Sequence, residues 1–426
     1  MTVAPAAVGA VGHRERLQEA SILWPPPRPV KARLPSVLLL LCGCALALAT
    51  VMASAAPFTP GRDDEVVERL PLRRGQPEAA QLAGLRAAWR ADPRDPARAA
   101  ALAEAYTRLT AADGDPRWMG HAQAVLAPWW DAAEPPPAVR LQRAVLRQFN
   151  HGFDDARADL QAVLRAEPDH AAAWAWRVAL DLVQARYDGA REACARLGAV
   201  APGLAAAGCA AQVDGLTGRT AEGAARLRRA LADDAAAPPA LRLWALTRLA
   251  EMEARRGAVA EAQAAFDQAL ALNLRDTYLQ AAHADFLLDE GRAAEVLTRL
   301  RDQGRADALL LRLALAAQAT GSPRLPELRR ELAARFDAAR QRGDTTHEKE
   351  EARFALELLR DAPRALALAQ RNYALQREPA DARVLLEAAL AARQPAAAEP
   401  ALRWLADSGI EDTRLQALAG RLRALR

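Results

Sequence analysis

Phe153, Ala156, Leu160, Val163 and Pro168 recur as Tyr187, Ala190, Cys194, Leu197 and Pro202, every pair 34 positions apart. No other feature limits the fold so strongly. A unit of this length holds two short helices and a turn, and it cannot bury its apolar faces alone, so it needs a neighbour on either side. Small residues at Ala156 and Ala190 let two helices approach, larger ones fill the space between them, and Pro168 and Pro202 stop each second helix because proline cannot continue it. Hydrophobic residues make up 51% of the chain but aromatics only 5%, so the apolar content is mostly Ala and Leu, both strong helix formers. Alternating runs of Val, Ile and Thr, the mark of strands, are missing. The expected fold class is all-α.

The unit is clearest from Leu249 to Leu274. Leu246, Leu249, Ala250 and Glu253 lie on a first helix, Gly257 makes the turn, and Ala262, Phe266, Ala269 and Leu270 lie on a second. This order resembles the tetratricopeptide repeat, L-G-x2-Y…A-x3-F…P, with Ala250 and Glu253 in the Gly and Tyr places and Leu274 in the Pro place. The step of 34 continues from Gly257 to Gly291 and from Phe266 to Leu300. An earlier hairpin runs from Pro96 to Pro128, with Leu102, Ala103, Tyr106, Ala122 and Leu126 as its packing set. Another copy carries Leu227, Ala230 and Leu231 but has Gly223 where Ala is expected, which predicts a weaker hairpin. The pattern loosens after Arg305, around Pro323 and Pro326, and returns at Ala367, Ala374, Leu375 and Pro379. The Leu-rich tail, Leu385 to Leu422, reads as the cover of the last apolar face. Similarity to this family over about Gln81–Arg426 implies a right-handed superhelical solenoid of antiparallel helix hairpins. Its concave groove would bind a peptide or a protein segment.

Ahead of the repeats the sequence divides into a basic stretch (1–33), a segment containing an apolar run (34–56) and a Pro- and Gly-containing linker (57–79), followed by the repeat domain (80–426). Arg28, Lys31 and Arg33 precede VLLLLCGCALALATVMA at 37–53, and Ala53-Ser54-Ala55 follows. A positive flank, an apolar core and an A-x-A site read as a secretory signal, with Val30 read as the true start. Two competing readings stand beside it: an uncleaved span anchored in the inner membrane through residues 37–53, and a lipobox at Leu41-Cys42-Gly43-Cys44. The apolar ALALATVMA after Cys44 argues against the lipobox. Each reading puts the repeats in the periplasm or outside the cell.

The family resemblance implies which side chains face the groove, namely the second, ninth and thirteenth residues of each first helix. The unit starting at Leu243 supplies Trp244, Glu251 and Arg255, and the unit starting at Thr277 supplies Tyr278, Asp285 and Asp289. Trp244 and Tyr278 are 34 apart, so they are expected side by side as an aromatic docking strip edged with carboxylates. The competing reading makes them packing residues. Thr247 and Ala281 stand at the fifth positions, so the Lys and Asn with which some family members clamp a C-terminal carboxylate are missing. Trp174 falls at the family's packing tryptophan, and Trp176, two residues on, points elsewhere.

Past the apolar run there are two cysteines, Cys194 and Cys209, centred near the connection at Pro202. That spacing sets them opposite each other on consecutive antiparallel helices, either bonded in an oxidising compartment or free and buried. No catalytic, cofactor or metal set emerges. The six histidines are scattered, His347-Glu348 starts an H-E-x-x-H string that Glu351 ends, and P-loop, G-x-G-x-x-G and G-x-S-x-G motifs are absent. Beyond residue 36 the chain holds 52 basic against 51 acidic side chains, without the basic patch that nucleic acid would require. The function expected is an exported, non-catalytic scaffold or adaptor that binds a protein or peptide, in envelope or export-complex assembly. The alternative is an accessory protein or enzyme that holds a polysaccharide or peptidoglycan strand.

Overall fold

The computed structural model describes residues 77–344 and 346–425. Every described residue belongs to one compact unit. The apolar run, the cleavage pattern, the lipobox and the linker as far as residue 76 lie outside the described residues. Among the described residues no helix is long and apolar enough to cross a membrane.

Twenty α-helices and no strand make up the described residues. After α1 (Pro77–Ala91) the helices alternate between two layers. The inner layer is α2 (Pro96–Asp113), α4 (Pro137–Phe149), α6 (Ala171–Val183), α8 (Leu204–Leu216), α10 (Pro239–Arg255), α12 (Thr277–Asp289), α14 (Asp307–Ala319), α16 (Glu348–Arg353), α18 (Pro379–Ala391) and α20 (Thr413–Arg423). The outer layer is α3 (Arg117–Val125), α5 (Phe153–Ala166), α7 (Tyr187–Val200), α9 (Thr220–Asp233), α11 (Val259–Ala271), α13 (Ala293–Arg299), α15 (Leu325–Gln341), α17 (Ala362–Leu375) and α19 (Glu399–Ser408). Each inner helix touches the next inner helix along the whole series. A tetratricopeptide-like helical solenoid is defined by this pattern, in which each hairpin's first helix also packs on the first helix of the hairpin that follows.

A shared device closes nearly every inner helix. The residue just beyond it has a positive φ: Gly114, His151, Ala185, Gly218, Gly257, Gly291, Gly321, Arg360 and Arg393. That left-handed residue reverses the chain and frees it to start the outer helix. Glycine takes the conformation without a steric cost, so the spacing of Gly218, Gly257 and Gly291 shows the turns in the sequence, whereas His151, Ala185, Arg360 and Arg393 hide theirs.

The packing set expected between Leu249 and Leu274 is the one found. Leu249, Ala262, Phe266 and Ala269 are buried, and the Phe266 ring lies 5.3 Å from Phe286 of the next unit. Burying such a ring contributes about 3 kcal/mol. Gly223 departs from expectation. A Cβ there would come within 2.7 Å of the Ala211 carbonyl oxygen, so the missing methyl lets α9 lie close on α8 rather than weakening the pair. After Arg305 the hairpins continue. Leu328, Leu332 and Phe336 of α15 are buried, and a π-helical turn at Phe354–Leu358 after α16 takes up the irregular spacing.

The array curls back on itself. Inner helices α2 and α12 touch, Arg275 bonds Asp113 at 2.7 Å, and Thr277 donates to the Ala112 carbonyl. A Cβ on Gly114 (φ 67°) would come within 2.4 Å of the Ala306 Cβ, so glycine is needed at this closure for both space and conformation. The tail does more than cover the last apolar face. From Arg377 to Arg414 it passes across the turns that link earlier inner and outer helices, with the Arg377 amide on the Val183 carbonyl, Trp404 on the Tyr187 hydroxyl, Glu411 on the Thr220 amide and Arg414 on Glu290.

A central cavity as the candidate site

Closure turns the groove into a cavity of about 660 Å³, to which all ten inner helices contribute lining residues. Five of the six groove residues inferred from the sequence line it: Glu251 and Arg255 from α10, and Tyr278, Asp285 and Asp289 from α12. Their spacing explains this. Positions 248, 251 and 255, like 278, 281, 285 and 289, recur at intervals of three and four, which places each set on one face of its helix.

Trp244 does not join them, and the expected aromatic pair with Tyr278 does not form. The Trp244 indole is half-buried against the core and lies over Gly208 of α8, where a Cβ would meet the ring at 2.4 Å. A glycine directly beneath the ring gives the indole an apolar bed in the neighbouring unit. Tyr278 is covered instead by the guanidinium of Arg248, 4.2 Å from the ring centroid, and its hydroxyl donates to Glu251 at 2.5 Å. Half of the Tyr278 surface stays open.

The carboxylates are spoken for within the chain. Asp285 accepts from Arg312 of α14 at 2.6 Å and from Arg353 of α16 at 2.9 Å. Burial works against the Asp285 charge, but the two guanidiniums outweigh it and hold the carboxyl below the ordinary range. Asp289 accepts from both terminal nitrogens of Arg383 on α18, and Arg414 on α20 lies 3.3 Å away. The carboxylates expected to edge a docking strip therefore meet the arginines of the chain's own later helices.

Other lining groups keep their capacity. Arg255 makes no hydrogen bond or ion pair among the described residues, and its Nε is buried without a partner, as is the Nε of Arg248. Glu350 and Glu378 make no ion pair among the described residues, although both line the cavity beside Lys349, whose Nζ is 3.7 Å from Asp381. Burial and the neighbouring Asp381 raise the Glu378 carboxyl against the pull of Lys349 and Arg248. Burial opposes the Lys349 charge, but Glu350, Asp381 and Glu378 keep the ammonium above its usual range. The sequence reading missed Arg248, Lys349, Arg353, Glu378 and Arg383. One signal was available, because Lys349 is one of only two lysines in the chain.

Cys194 of α7 and Cys209 of α8 form a disulfide with Cα atoms 5.7 Å apart. Trp174 is half-buried and donates to the Pro168 carbonyl at 2.7 Å, and Trp176 packs against the core of the preceding hairpin. Among the described residues no group of three or more His, Cys, Asp or Glu side chains is placed to hold a metal ion.

The fold defines a class, that of tetratricopeptide-like repeat proteins. No protein-family model matches the chain, and no curated protein matches it. Among solved structures, the human IFIT1 dimer with PPP-AAAA is 14% identical, with 82% of this chain and 86% of that one covered at a TM-score of 0.42. Yeast Tom70 is 10% identical over 82% and 92% of the two chains at 0.34. The tetratricopeptide domain of P58(IPK) is 14% identical over 82% and 93% at 0.21.

Proposed function

We propose that this chain is an exported, non-catalytic repeat scaffold that seats a short polypeptide stretch of a partner in its central cavity, in the assembly of an envelope or export complex. One observation carries the binding reading: the groove-facing sides of all ten inner helices meet on a single cavity of about 660 Å³. That volume lies within the range of sites that enclose small ligands, and fixed charges alternate in it with apolar wall such as Phe149, Leu216 and Ala282. Export is supported by the apolar run at 37–53 with its A-x-A site, and by two cysteines set to bond outside the cytoplasm. No aromatic pair favours the polysaccharide or peptidoglycan alternative, because Trp244 lies against the core.

A photo-reactive residue in place of Ala282, activated in cells, tests the binding reading. Crosslinks to one partner's polypeptide are expected, and a variant folded as the parent but crosslinking only to itself would reject the scaffold role. The mass of the mature N-terminus tests export: a start at or near Ala56 is expected, and an intact residue 37–53 segment would point to an anchor.

A further inference from the structure

The cavity has two electrically opposite ends. Around Glu378 the lining carries Glu251 and Glu350, three carboxyls against the two cations Arg248 and Lys349; Arg248 pairs with Glu251 at 3.0 Å and Lys349 faces the buried Asp381, which leaves Glu350 and Glu378 without an ion pair among the described residues. Around Asp412 gather Arg255, Arg383 and Arg414. The Asp412 carboxyl is engaged by the amides of Arg414 and Leu415 that open α20, and burial raises its pKa. Asp289 and Glu387 answer Arg383, and Glu290 and Asp289 answer Arg414, which leaves Arg255 as the guanidinium at this end without an ion pair among the described residues. One helix joins the two ends. Arg248 and Arg255 lie on the same face of α10, seven residues and about 10.5 Å apart along its axis.

We propose that the cavity binds a short peptide with both termini free, about three residues long, its carboxylate on Arg255 and its ammonium among the carboxyls around Glu378. An extended tripeptide spans at most about 10–11 Å, which matches the rise between the two ends. A planar guanidinium takes a carboxylate through two parallel hydrogen bonds. At the other end the ammonium's three donors find carboxyls in excess of cations. The apolar wall between the ends, with Met252, Ala281 and Phe286, suits uncharged side chains. The inference rests on the reading that the cavity takes polypeptide, and it adds that chain ends are recognised and that length is limited.

The test is calorimetry on the full chain with Ala-Leu-Ala, its N-acetyl form, its C-amide form, the doubly blocked form and a doubly blocked nonapeptide. Ala-Leu-Ala is expected to bind, and each single block to weaken it at least tenfold. Arg255→Gln should weaken the free tripeptide about tenfold and leave the C-amide unchanged. Arg255→Lys should restore part of the loss. Glu378→Gln should weaken the free peptide and leave the N-acetyl form unchanged. Thermal melts of each variant establish that it folds. Equal binding of free and doubly blocked tripeptides, or variants that weaken every probe alike, overturns the proposal. Binding of the blocked nonapeptide alone overturns it while sparing the broader polypeptide reading, and binding of no probe removes the support for both.

Discussion

Arg383 on α18 grips Asp289 at the end of α12 with both terminal nitrogens, at 2.7 and 2.8 Å, across 94 residues of sequence. The pair joins the returning tail to the middle of the array. Asp289→Asn leaves Arg383 and Arg414 facing a neutral amide in a partly buried place, at a cost of about 2 kcal/mol. Hydrogen exchange is expected to accelerate in α18 and α20 and to stay unchanged in α3 and α5, which lie away from the tail's bonds. Uniform acceleration over the whole array would mean that the pair does not latch the tail.

Trp244 and Tyr278 are separable by mutation. Gly208→Val forces a side chain into the Trp244 ring and should cost roughly 1–3 kcal/mol of stability, as read from a denaturant midpoint. Tyr278→Phe removes one hydroxyl from the cavity wall and should leave the midpoint within about 1 kcal/mol while altering ligand affinity. The opposite assignment would return Trp244 to the binding surface.

Reducing the Cys194–Cys209 bond frees a connection with a sequence separation of 15. The expected loss is about 3 kcal/mol, seen as a lower melting temperature with reductant and reproduced by a Cys194→Ser, Cys209→Ser double variant that no longer responds to reductant. A parent protein whose melt ignores reductant would show that the bond adds nothing.

His283 is buried against Phe266 and Phe286, its Nε2 without a partner, and burial lowers its pKa to about 4. The folded protein resists protonation there, while the unfolded chain takes a proton near the ordinary value of about 6.5. Stability from this group is therefore full above the unfolded value and is lost as pH falls toward the folded one, by about 2 kcal/mol between pH 7 and pH 5. His283→Phe should flatten that part of the stability profile, and an unchanged slope would place the titration elsewhere.

Arg393 is exposed and holds a φ of 53° after α18. Arg393→Gly relieves the steric cost of that conformation and should stabilise the protein by up to about 1 kcal/mol, less the entropy glycine gains in the unfolded chain. A loss of stability would mean that the arginine contributes a contact larger than the strain.

The sequence by itself determined the unit and its repetition. A 34-residue step, Ala where helices cross, Phe266 between them and Gly257 at the turn state local requirements, and local requirements are written residue by residue. Which faces of α10 and α12 look into the groove came from the family resemblance, and the helical period accounts for why Glu251 shares a face with Arg255, and Tyr278 with Asp285 and Asp289. Only the tertiary structure decided what those faces meet. The small rotation between neighbouring hairpins accumulates along the array until α2 reaches α12 and the tail reaches the turns after α6, α8 and α12, and no single repeat encodes that sum. Asp289 looked like a carboxylate offered to a partner because Arg383 lies 94 residues away. Trp244 looked like its companion because nothing near it in sequence shows that Gly208 lies beneath the ring.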